Sequence, residues 1–204
     1  MDRKRAIKQL NKIKNLAKEI RLAADSWEED WKTLIAILLS ARTRDKVTIP
    51  VAENLFNKYG SLEKLATANY HDVKRIINSV NYSNVKARKV IGCAKMLLSL
   101  YNGRVPNDFN KLVELPGIGR KSANVFLAEK GYDRIGVDTH VAQISRKLGW
   151  TKHKNPALIE RDLERLFPRK MWREINWILV RFGQSYTNKR EKNLLLEKIN
   201  QIKD

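Results

Sequence analysis

The sequence predicts an all-α protein, and three observations lead to that fold class. Nearly every segment of the 204 residues repeats its apolar side chains with the period of a helix. No segment alternates apolar and polar residues in the way that a half-buried strand requires. Gly, Pro, Asn, Asp or Ser stands at most breaks between the periodic segments, as is typical of turns and helix ends. Hydrophobic residues make up 43%, enough for one large domain or two small ones with an apolar core.

The first two helices differ in how they distribute their apolar residues. Segment 3–20 has one apolar face with lysines opposite, which predicts an amphipathic helix. Ser26 and Glu29 then form a capping-box pattern ahead of 31–41. This second segment is apolar almost all round, so we expect it at the centre of the fold.

Local capping signals mark most of the later helices. We expect Asp45 to cap a helix that stops at Gly60, Asp108 to start 109–115, and Asp138 to start 139–149. Asn155 followed by Pro156 is a typical helix start. The remaining helical segments are 61–67, 70–80, 85–103, 120–131, 157–167, 171–186 and a lysine-rich tail with apolar residues at 194, 195, 199 and 202.

The chain is strongly basic, with 41 Lys and Arg against 22 acidic residues and a formal net charge of +19. This excess points to a polyanionic partner, because each cation that neutralises a phosphate releases counterions. A ribosome-associated or generally adhesive basic protein would have the same charge. Binding to a membrane surface is a third option, but no long lipid-facing stripe supports it.

Cys93 is the only cysteine, so we expect no disulfide framework and no cysteine-ligated metal or iron–sulfur site. It lies in an apolar-periodic segment and is expected to be a small core residue. The charged N-terminus lacks the apolar core of a signal peptide. No apolar run reaches the roughly 20 residues that span a bilayer. We therefore expect a soluble, cytoplasmic protein that associates with the nucleoid.

The segment 115–119, Leu-Pro-Gly-Ile-Gly, joins two short predicted helices. Its glycines remove the side chains that would keep another backbone away, so the loop can approach a phosphate. The amides that open the second helix point at such an anion, and the helix dipole favours it. These features are typical of a helix-hairpin-helix element, which binds the sugar-phosphate backbone of DNA. An ordinary corner between two helices is the alternative. Charge favours DNA, with these candidate ligands: Gly117, Ile118, Gly119 and Arg120.

Lys121 stands in the first turn of the second helix of this element. It is either one more cation for a phosphate or, as the sharper hypothesis, a neutral amine that attacks as a nucleophile. The positive end of the helix, neighbouring Arg120 and partial burial would favour the neutral amine. Asp138 follows after one helix and one turn, a connection long enough to bring the two side chains together. An aspartate that caps a helix contributes roughly 1 kcal/mol without any catalysis, and both roles are compatible.

LPGIGRKSAN at 115–124, followed by VDTH at 137–140, closely resembles the endonuclease III branch of the helix-hairpin-helix DNA glycosylases. LLSARTRD at 38–45 and NGRVPNDFNKLVELPG at 102–117 resemble the segments that precede that family's hairpin. The similarity extends from about 31 to 146, and more weakly to FGQSYT at 182–187. Each motif alone is weak, but together, in order and at family-like spacing, they are specific.

The resemblance implies two α-helical lobes with a DNA cleft between them. One lobe would be a helical barrel at 26–132, with the helix-hairpin-helix element at about 108–131. The other lobe would combine 1–25 with 133–204. The family comparison also allows a monovalent cation at the hairpin backbone, and we expect no other cofactor in this chain. A monomer is expected, because the chain supplies both lobes.

The resemblance also implies a covalent mechanism. The target nucleotide is flipped out of the duplex, because its C1′ cannot be reached within the stack. Lys121 would attack C1′, the damaged base would leave, and the resulting Schiff base would permit β-elimination of the 3′ phosphate. Asp138 would assist base loss and stabilise the developing sugar cation. Related glycosylases that lack lyase activity carry another residue at the lysine position, so lysine here predicts both activities.

Two further positions match residues that fill the gap left by a flipped base in this family. Arg42 stands where well-known members carry a glutamine, and it would hydrogen-bond the orphaned base. Tyr82 stands where an aliphatic or aromatic wedge is expected. The alternatives are a surface arginine and a partly buried tyrosine.

The sequence departs from the family pattern in three places. Most members of this branch hold an iron–sulfur cluster with four cysteines near the C-terminus, and 182–199 contains none, so we expect no cluster. We expect the apolar stripe of the last helix to close that lobe instead. Gln143 stands where an arginine is common, and the segment between Lys121 and Asp138 is slightly short.

Basic residues near the expected cleft are candidate phosphate ligands: Arg44, Lys86, Arg88, Arg120, Lys147 and Arg181. His140 either contacts a phosphate, orients Asp138 or simply packs in the first turn of its helix.

The residues and the resemblance together predict a bifunctional DNA glycosylase and abasic-site lyase of base excision repair. Its partner would be double-stranded DNA with a damaged base, expected to be an oxidised pyrimidine, or with an abasic site. One alternative is the same chemistry on a deaminated, mismatched or oxidised purine base. The other is a non-enzymatic helix-hairpin-helix module that only binds DNA. The pairing of Lys121 with Asp138 favours the enzyme, because backbone binding does not require the aspartate.

Overall fold

The computed structural model describes residues 2–203, and these form twelve α-helices with no β-strand among them, as the sequence predicts. In chain order the helices are α1 (Arg3–Leu16), α2 (Asp30–Ser40), α3 (Asp45–Lys58), α4 (Leu62–Ala66), α5 (Tyr70–Ile76), α6 (Ser83–Tyr101), α7 (Phe109–Glu114), α8 (Arg120–Glu129), α9 (Thr139–Lys147), α10 (Pro156–Leu166), α11 (Trp172–Ser185) and α12 (Lys189–Asn200). None of the described helices is both long and apolar enough to cross a membrane.

The chain divides into two compact units. The central unit comprises Arg21–Lys130 and contains α2–α8. The terminal unit comprises the described residues up to Ile20 and from Gly131 onward, and contains α1 and α9–α12. These limits lie a few residues from the predicted lobes, 26–132 and 1–25 with 133–204. Arg21, the first residue of the central unit, forms an ion pair with Glu53 (2.7 Å) of the same unit.

Helix α2 is the core of the central unit. Its residues from 34 to 39 are at most 2% exposed, because the segment is apolar on every side. Cys93 of α6 is also fully buried, as expected for a small core residue, and burial raises the pKa of its thiol to about 12. The centre of this unit is therefore set by apolar burial.

The capping box predicted for α2 is wrong. The N-cap of α2 is Glu29, whose side chain makes no cap hydrogen bond. Ser26 instead donates to Glu129 Oε1 through its amide (2.9 Å) and its hydroxyl (2.8 Å). The Glu29 carboxylate accepts from Trp31 Nε1 (2.8 Å). Asp45 was also expected to be an N-cap, but it is the first residue of α3.

Other predicted helix starts are confirmed. Asp108 accepts a hydrogen bond from the Lys111 amide (2.9 Å) at the start of α7. Asn155 caps α10 by accepting from the Ala157 amide (2.9 Å), with Pro at the first helical position. These caps depend only on residues two or three positions away, so the sequence was sufficient to place them.

The terminal unit is built around α1 and α11. Gln9 of α1 is fully buried; it donates to the carbonyl of Ile199 (3.3 Å) and accepts from the Trp150 indole (2.7 Å). Leu196 and Ile199 of α12 lie in the same core. The apolar stripe at the end of the chain thus closes this unit against α1.

Candidate functional site

The hairpin 115–119 joins α7 to α8, and its two glycines meet different requirements. Gly117 has φ +87°, and a Cβ there would lie 2.8 Å from Leu38 Cδ1, so backbone and packing both exclude a side chain. Gly119 has an ordinary φ of −102°, and a Cβ there would meet nothing within 4 Å. The fold requires Gly117. Gly119 instead leaves an exposed stretch of backbone open to an external group.

Apolar burial and one hydrogen bond fix the hairpin. Leu115 and Ile118 are 2% and 4% exposed, and the Ile118 amide donates to the Leu115 carbonyl (3.0 Å). Gly119 is the N-cap of α8 and has no side chain to cap the helix. The first amides of α8 therefore form a positive helix end at an exposed surface, which is the arrangement that favours an anion.

Arg120 and Lys121 are the first two residues of α8. The exposed Arg120 guanidinium lies 5.3 Å from the centroid of the Phe109 ring. Lys121 is half-buried, and no hydrogen bond or ion pair engages its ammonium within residues 21–130. The amine is thus held close to the hairpin without a partner in its own unit.

Arg42 and Tyr82, predicted separately as gap-filling residues, lie together in the central unit. Arg42 Nη1 donates to the Tyr82 hydroxyl (2.9 Å), and the guanidinium carbon lies 5.7 Å from the ring centroid. Tyr82 is 60% exposed rather than partly buried. Both residues have positive φ, 57° for Arg42 and 60° for Tyr82, which non-glycine residues adopt at a cost.

Lys86 does not lie where the prediction of a phosphate ligand requires, and we correct that assignment. The side chain is buried, and its ammonium donates to the carbonyls of Leu39 (2.6 Å) and Ala41 (2.7 Å) and to Thr43 Oγ1 (3.1 Å). Since an ammonium has three N–H donors, none remains for a phosphate. Burial lowers the pKa of this ammonium to about 8.

Asp138 belongs to the terminal unit and caps α9, as predicted. Its Oδ1 accepts from the Val141 amide (2.8 Å), and the side chain is half-buried. This hydrogen bond uses one carboxylate oxygen and fixes the orientation of the other. A carboxylate held in this way keeps its charge in one place, which suits electrostatic stabilisation.

His140 lies in the first turn of α9 and packs directly on α11. A Cβ added at Gly183 would overlap its imidazole, with Cγ of His140 at 2.7 Å. Gly183 is therefore small because the ring occupies the space above the α11 backbone. The packing interpretation of His140 accounts for this contact.

The remaining candidate phosphate ligands differ in the contacts that their side chains make within the protein. Arg44 is exposed just before α3. Arg88 lies over the Tyr70 ring (5.3 Å), and Lys147 is 3.7 Å from Glu197. Arg181 donates to the Ile20 carbonyl (3.0 Å) and lies over the Trp177 ring (4.9 Å).

Sequence reasoning missed the anchoring roles of Lys86 and Gly183. A signal for Lys86 was present: it falls on the apolar face of α6, in line with Val90, Cys93 and Leu97 at helical spacing. Nothing in the sequence indicated that position 183 must be glycine, because the ring that fills the space there belongs to His140 of another helix. Among residues 2–203, no group of three or more His, Cys, Asp or Glu is placed to hold a metal ion.

Comparison with known families identifies the fold. Residues 35–169 match the HhH-GPD superfamily of base excision DNA repair proteins, and this match covers more than half of the chain. The chain belongs to the HhH-GPD superfamily. The family resemblance inferred from the hairpin and VDTH motifs is thereby confirmed.

Among HhH-GPD relatives, endonuclease III of Thermotoga maritima is 37% identical over 177 residues, which cover 84% of this chain and 83% of the relative. Endonuclease III of Bacillus subtilis is 34% identical over 156 residues, covering 76% and 71% of the two chains.

Solved HhH-GPD structures agree with this assignment. A trapped endonuclease III–DNA covalent intermediate with an estranged adenine is similar at TM-score 0.85 and 28% identity, covering 93% of this chain and 90% of that one. A thermostable thymine-DNA glycosylase has TM-score 0.81 at 20% identity, covering 97% and 94%, and this likeness concerns the fold alone.

Proposed function

We infer that this protein is a bifunctional DNA glycosylase and abasic-site lyase of base excision repair. The observation that carries the proposal is Lys121, a half-buried amine two residues past Gly119, the exposed end of the hairpin, in an HhH-GPD chain. Its endonuclease III relatives and the solved covalent endonuclease III–DNA intermediate support the same chemistry.

Lys121 is the nucleophile in this proposal. Its Nζ lone pair forms a bond to C1′ of a nucleotide flipped out of the duplex, and the base departs with the electrons of the broken glycosidic bond. One proton passes from the amine to the ring oxygen O4′ as the C1′–O4′ bond breaks, and this gives a protonated Schiff base. Removal of a proton from C2′ then expels the 3′ phosphate. A lysine that has no competing acceptor in its unit is suited to this attack.

Asp138 supplies negative charge at the stage where the sugar becomes cationic. The cap to Val141 holds one carboxylate oxygen, so the charge is preorganised and needs no rearrangement during the reaction. The same carboxylate assists departure of the base.

DNA is bound through its backbone at the hairpin. The amides of Gly119 and of the first residues of α8 donate hydrogen bonds to a phosphate, with Arg120 beside them. Gly117 and Ile118 shape the turn. The hairpin backbone is also the place for a monovalent cation. Arg44 and the net charge of +19 add sequence-independent attraction.

Arg42 and Tyr82 fill the gap that the flipped nucleotide leaves in the stack. The exposed phenol ring of Tyr82 enters between bases, and Arg42 hydrogen-bonds the orphaned base. Their positions in the same part of the central unit support a joint role.

We further propose an oxidised pyrimidine as the preferred lesion, a cytoplasmic monomer as the working form, and a terminal unit that needs no iron–sulfur cluster. The four thiolates of such a cluster have no counterpart in α12, where Leu196 and Ile199 pack into the core instead.

Borohydride trapping tests the lyase proposal. The protein is incubated with a duplex that contains one abasic site and is reduced with borohydride, which converts a Schiff base into a stable amine link. We expect a covalent protein–DNA species from the wild type and from Lys111→Ala, an exposed lysine on neighbouring α7, and none from Lys121→Ala. Absence of the species from folded wild type would refute the proposal and favour a DNA-binding module.

A panel of single-lesion duplexes tests the substrate. The panel contains an oxidised pyrimidine, an oxidised purine, a deaminated base and a mismatch, each at the same position. Strand scission that is fastest on the oxidised pyrimidine supports the proposal. A faster reaction on another lesion would show that this lesion is the preferred substrate, and the proposed mechanism would still hold.

A further inference from the structure

Lys86 is a buried cation whose hydrogen-bond acceptors are all neutral oxygens. Its side chain is 6% exposed, and its three donors reach the carbonyls of Leu39 and Ala41 and the hydroxyl of Thr43. Burying a charge costs free energy unless it is well solvated by the protein. Here the C-terminal end of α2 supplies that solvation, because its last carbonyls carry the negative end of the helix dipole.

Lys86 connects two loops that are distant in sequence, because its ammonium donates to the first and its backbone lies in the first turn of α6, directly after the second. The first, loop 41–44, follows α2 and contains Arg42. The second, loop 77–82, precedes α6 and ends at Tyr82. Asn81 adds to this link, since its amide donates to Thr43 Oγ1 (3.1 Å) and its side chain donates to the Arg42 carbonyl. Thr43 Oγ1 is therefore shared by Lys86 and Asn81.

Each loop contains a residue whose backbone conformation is unfavourable for any amino acid with a Cβ. Arg42 and Tyr82 have φ values of 57° and 60°, which a residue with a Cβ adopts only at a cost in free energy. Such conformations persist only where surrounding contacts impose them. Asn81 and the Arg42–Tyr82 hydrogen bond tie the two loops to each other directly. The ammonium of Lys86 ties loop 41–44 to the start of α6, which directly follows loop 77–82.

We propose that Lys86 is a positioning residue that fastens loops 41–44 and 77–82 together, so that Arg42 and Tyr82 meet DNA as one preformed pair. This rests on the proposed function, in which the two residues fill the gap beside a flipped nucleotide. A pair assembled before binding avoids the cost of ordering two loops on the DNA. Lys86 itself lies behind the loops and does not touch DNA.

The test uses a duplex with a stable tetrahydrofuran abasic-site analogue and 2-aminopurine as the opposite base. Insertion of a side chain beside 2-aminopurine changes its fluorescence. We compare Lys86→Met with Lys95→Met, which removes an exposed lysine from the same helix and so matches the loss of charge. We expect Lys86→Met to lose most of the fluorescence change and to bind about tenfold more weakly, and Lys95→Met to retain both.

A double-mutant cycle separates positioning from a general structural effect. If Lys86 acts through Arg42, then Arg42→Ala weakens binding in the wild type and adds little in Lys86→Met. Additive losses in the two backgrounds would overturn the proposal, because they would mean that Lys86 supports the unit as a whole.

Thr43→Val keeps the proposal testable if Lys86→Met does not fold. This change removes the shared acceptor of Lys86 and Asn81 and leaves the charge in place. We expect a smaller loss of the fluorescence change in the same direction, and a wild-type signal would overturn the proposal. If the wild type neither traps abasic DNA nor alters the fluorescence, the proposed function fails. If the wild type does both and Lys86→Met behaves as Lys95→Met, only the positioning role fails.

Discussion

Arg42 donates a hydrogen bond to the hydroxyl of Tyr82 across 2.9 Å, although the two residues lie 40 positions apart in the chain. The contact joins the two side chains that the family resemblance selects, one by one, as gap-filling residues. It makes them a single polar and aromatic unit at an exposed surface of the central unit.

Tyr82→Phe tests the hydrogen bond without removing the ring. We expect binding to an abasic-site duplex to weaken by about twofold to tenfold, the usual range for one hydrogen bond. Tyr82→Ala also loses stacking, which is worth about 1–3 kcal/mol per base, and should bind more weakly still. Fluorescence anisotropy measures both. Equal binding by wild type and Tyr82→Phe would show that the hydroxyl is not needed.

Substitution by alanine should affect stability at one hairpin glycine and DNA affinity at the other. Gly117→Ala meets Leu38 and a positive φ, so we expect the free energy of unfolding to fall by about 2 kcal/mol or more. Gly119→Ala fits without strain, so its stability should stay within about 0.5 kcal/mol while DNA affinity falls. Urea denaturation and salt titration of DNA binding measure the two effects. Unchanged affinity in Gly119→Ala would argue against phosphate binding at that backbone.

Substitutions of Asp138 separate its cap from its chemistry. Asparagine caps helices about as well as aspartate, so Asp138→Asn should keep the stability and lose base excision. Asp138→Ala should lose the activity and also about 1 kcal/mol of stability. Thermal unfolding and single-turnover excision, run in parallel, distinguish these outcomes. Full base excision by a stable Asp138→Asn variant would show that Asp138 acts only as a helix cap.

The pH dependence of stability should report the burial of Lys86. Burial lowers its pKa from 10.5 to about 8, so the unfolded chain binds more protons between those pH values. The free energy of unfolding therefore gains up to about 3 kcal/mol from this residue as pH rises through that window, and gains nothing from it below about pH 8. Urea denaturation of wild type and Lys86→Met at a series of pH values isolates the contribution. A difference that stays constant with pH would contradict the lowered pKa.

Gly183→Ala should destabilise the terminal unit because the new methyl group overlaps the His140 ring. We expect a loss of about 1–3 kcal/mol, the typical cost of overpacking. The double variant with His140→Ala makes room for the methyl group and should recover most of that loss. Without recovery, the cause lies elsewhere in α11.

Local chemistry determined much of this protein from its sequence. The helical spacing of the apolar residues and the residues typical of turns predict the all-α class. The caps at Asp108, Asp138 and Asn155 depend only on backbone amides two or three positions away. The hairpin and its lysine were found because their motif is continuous in the chain. Such features depend on neighbours that the sequence itself places together.

Tertiary structure decided the features whose partners are distant. Ser26 has the sequence of a capping residue, but Glu129, 103 positions away, takes its hydrogen bonds. Lys86 has the sequence of a phosphate ligand, but carbonyls at the end of α2 surround its ammonium. Arg42 and Tyr82 become a pair only when α6 packs beside α2. In each case the partner comes from an element far away in the chain, so only packing decides which two groups meet. For Lys86 packing also removes the ammonium from water, and it must then bond to the acceptors that the fold brings next to it.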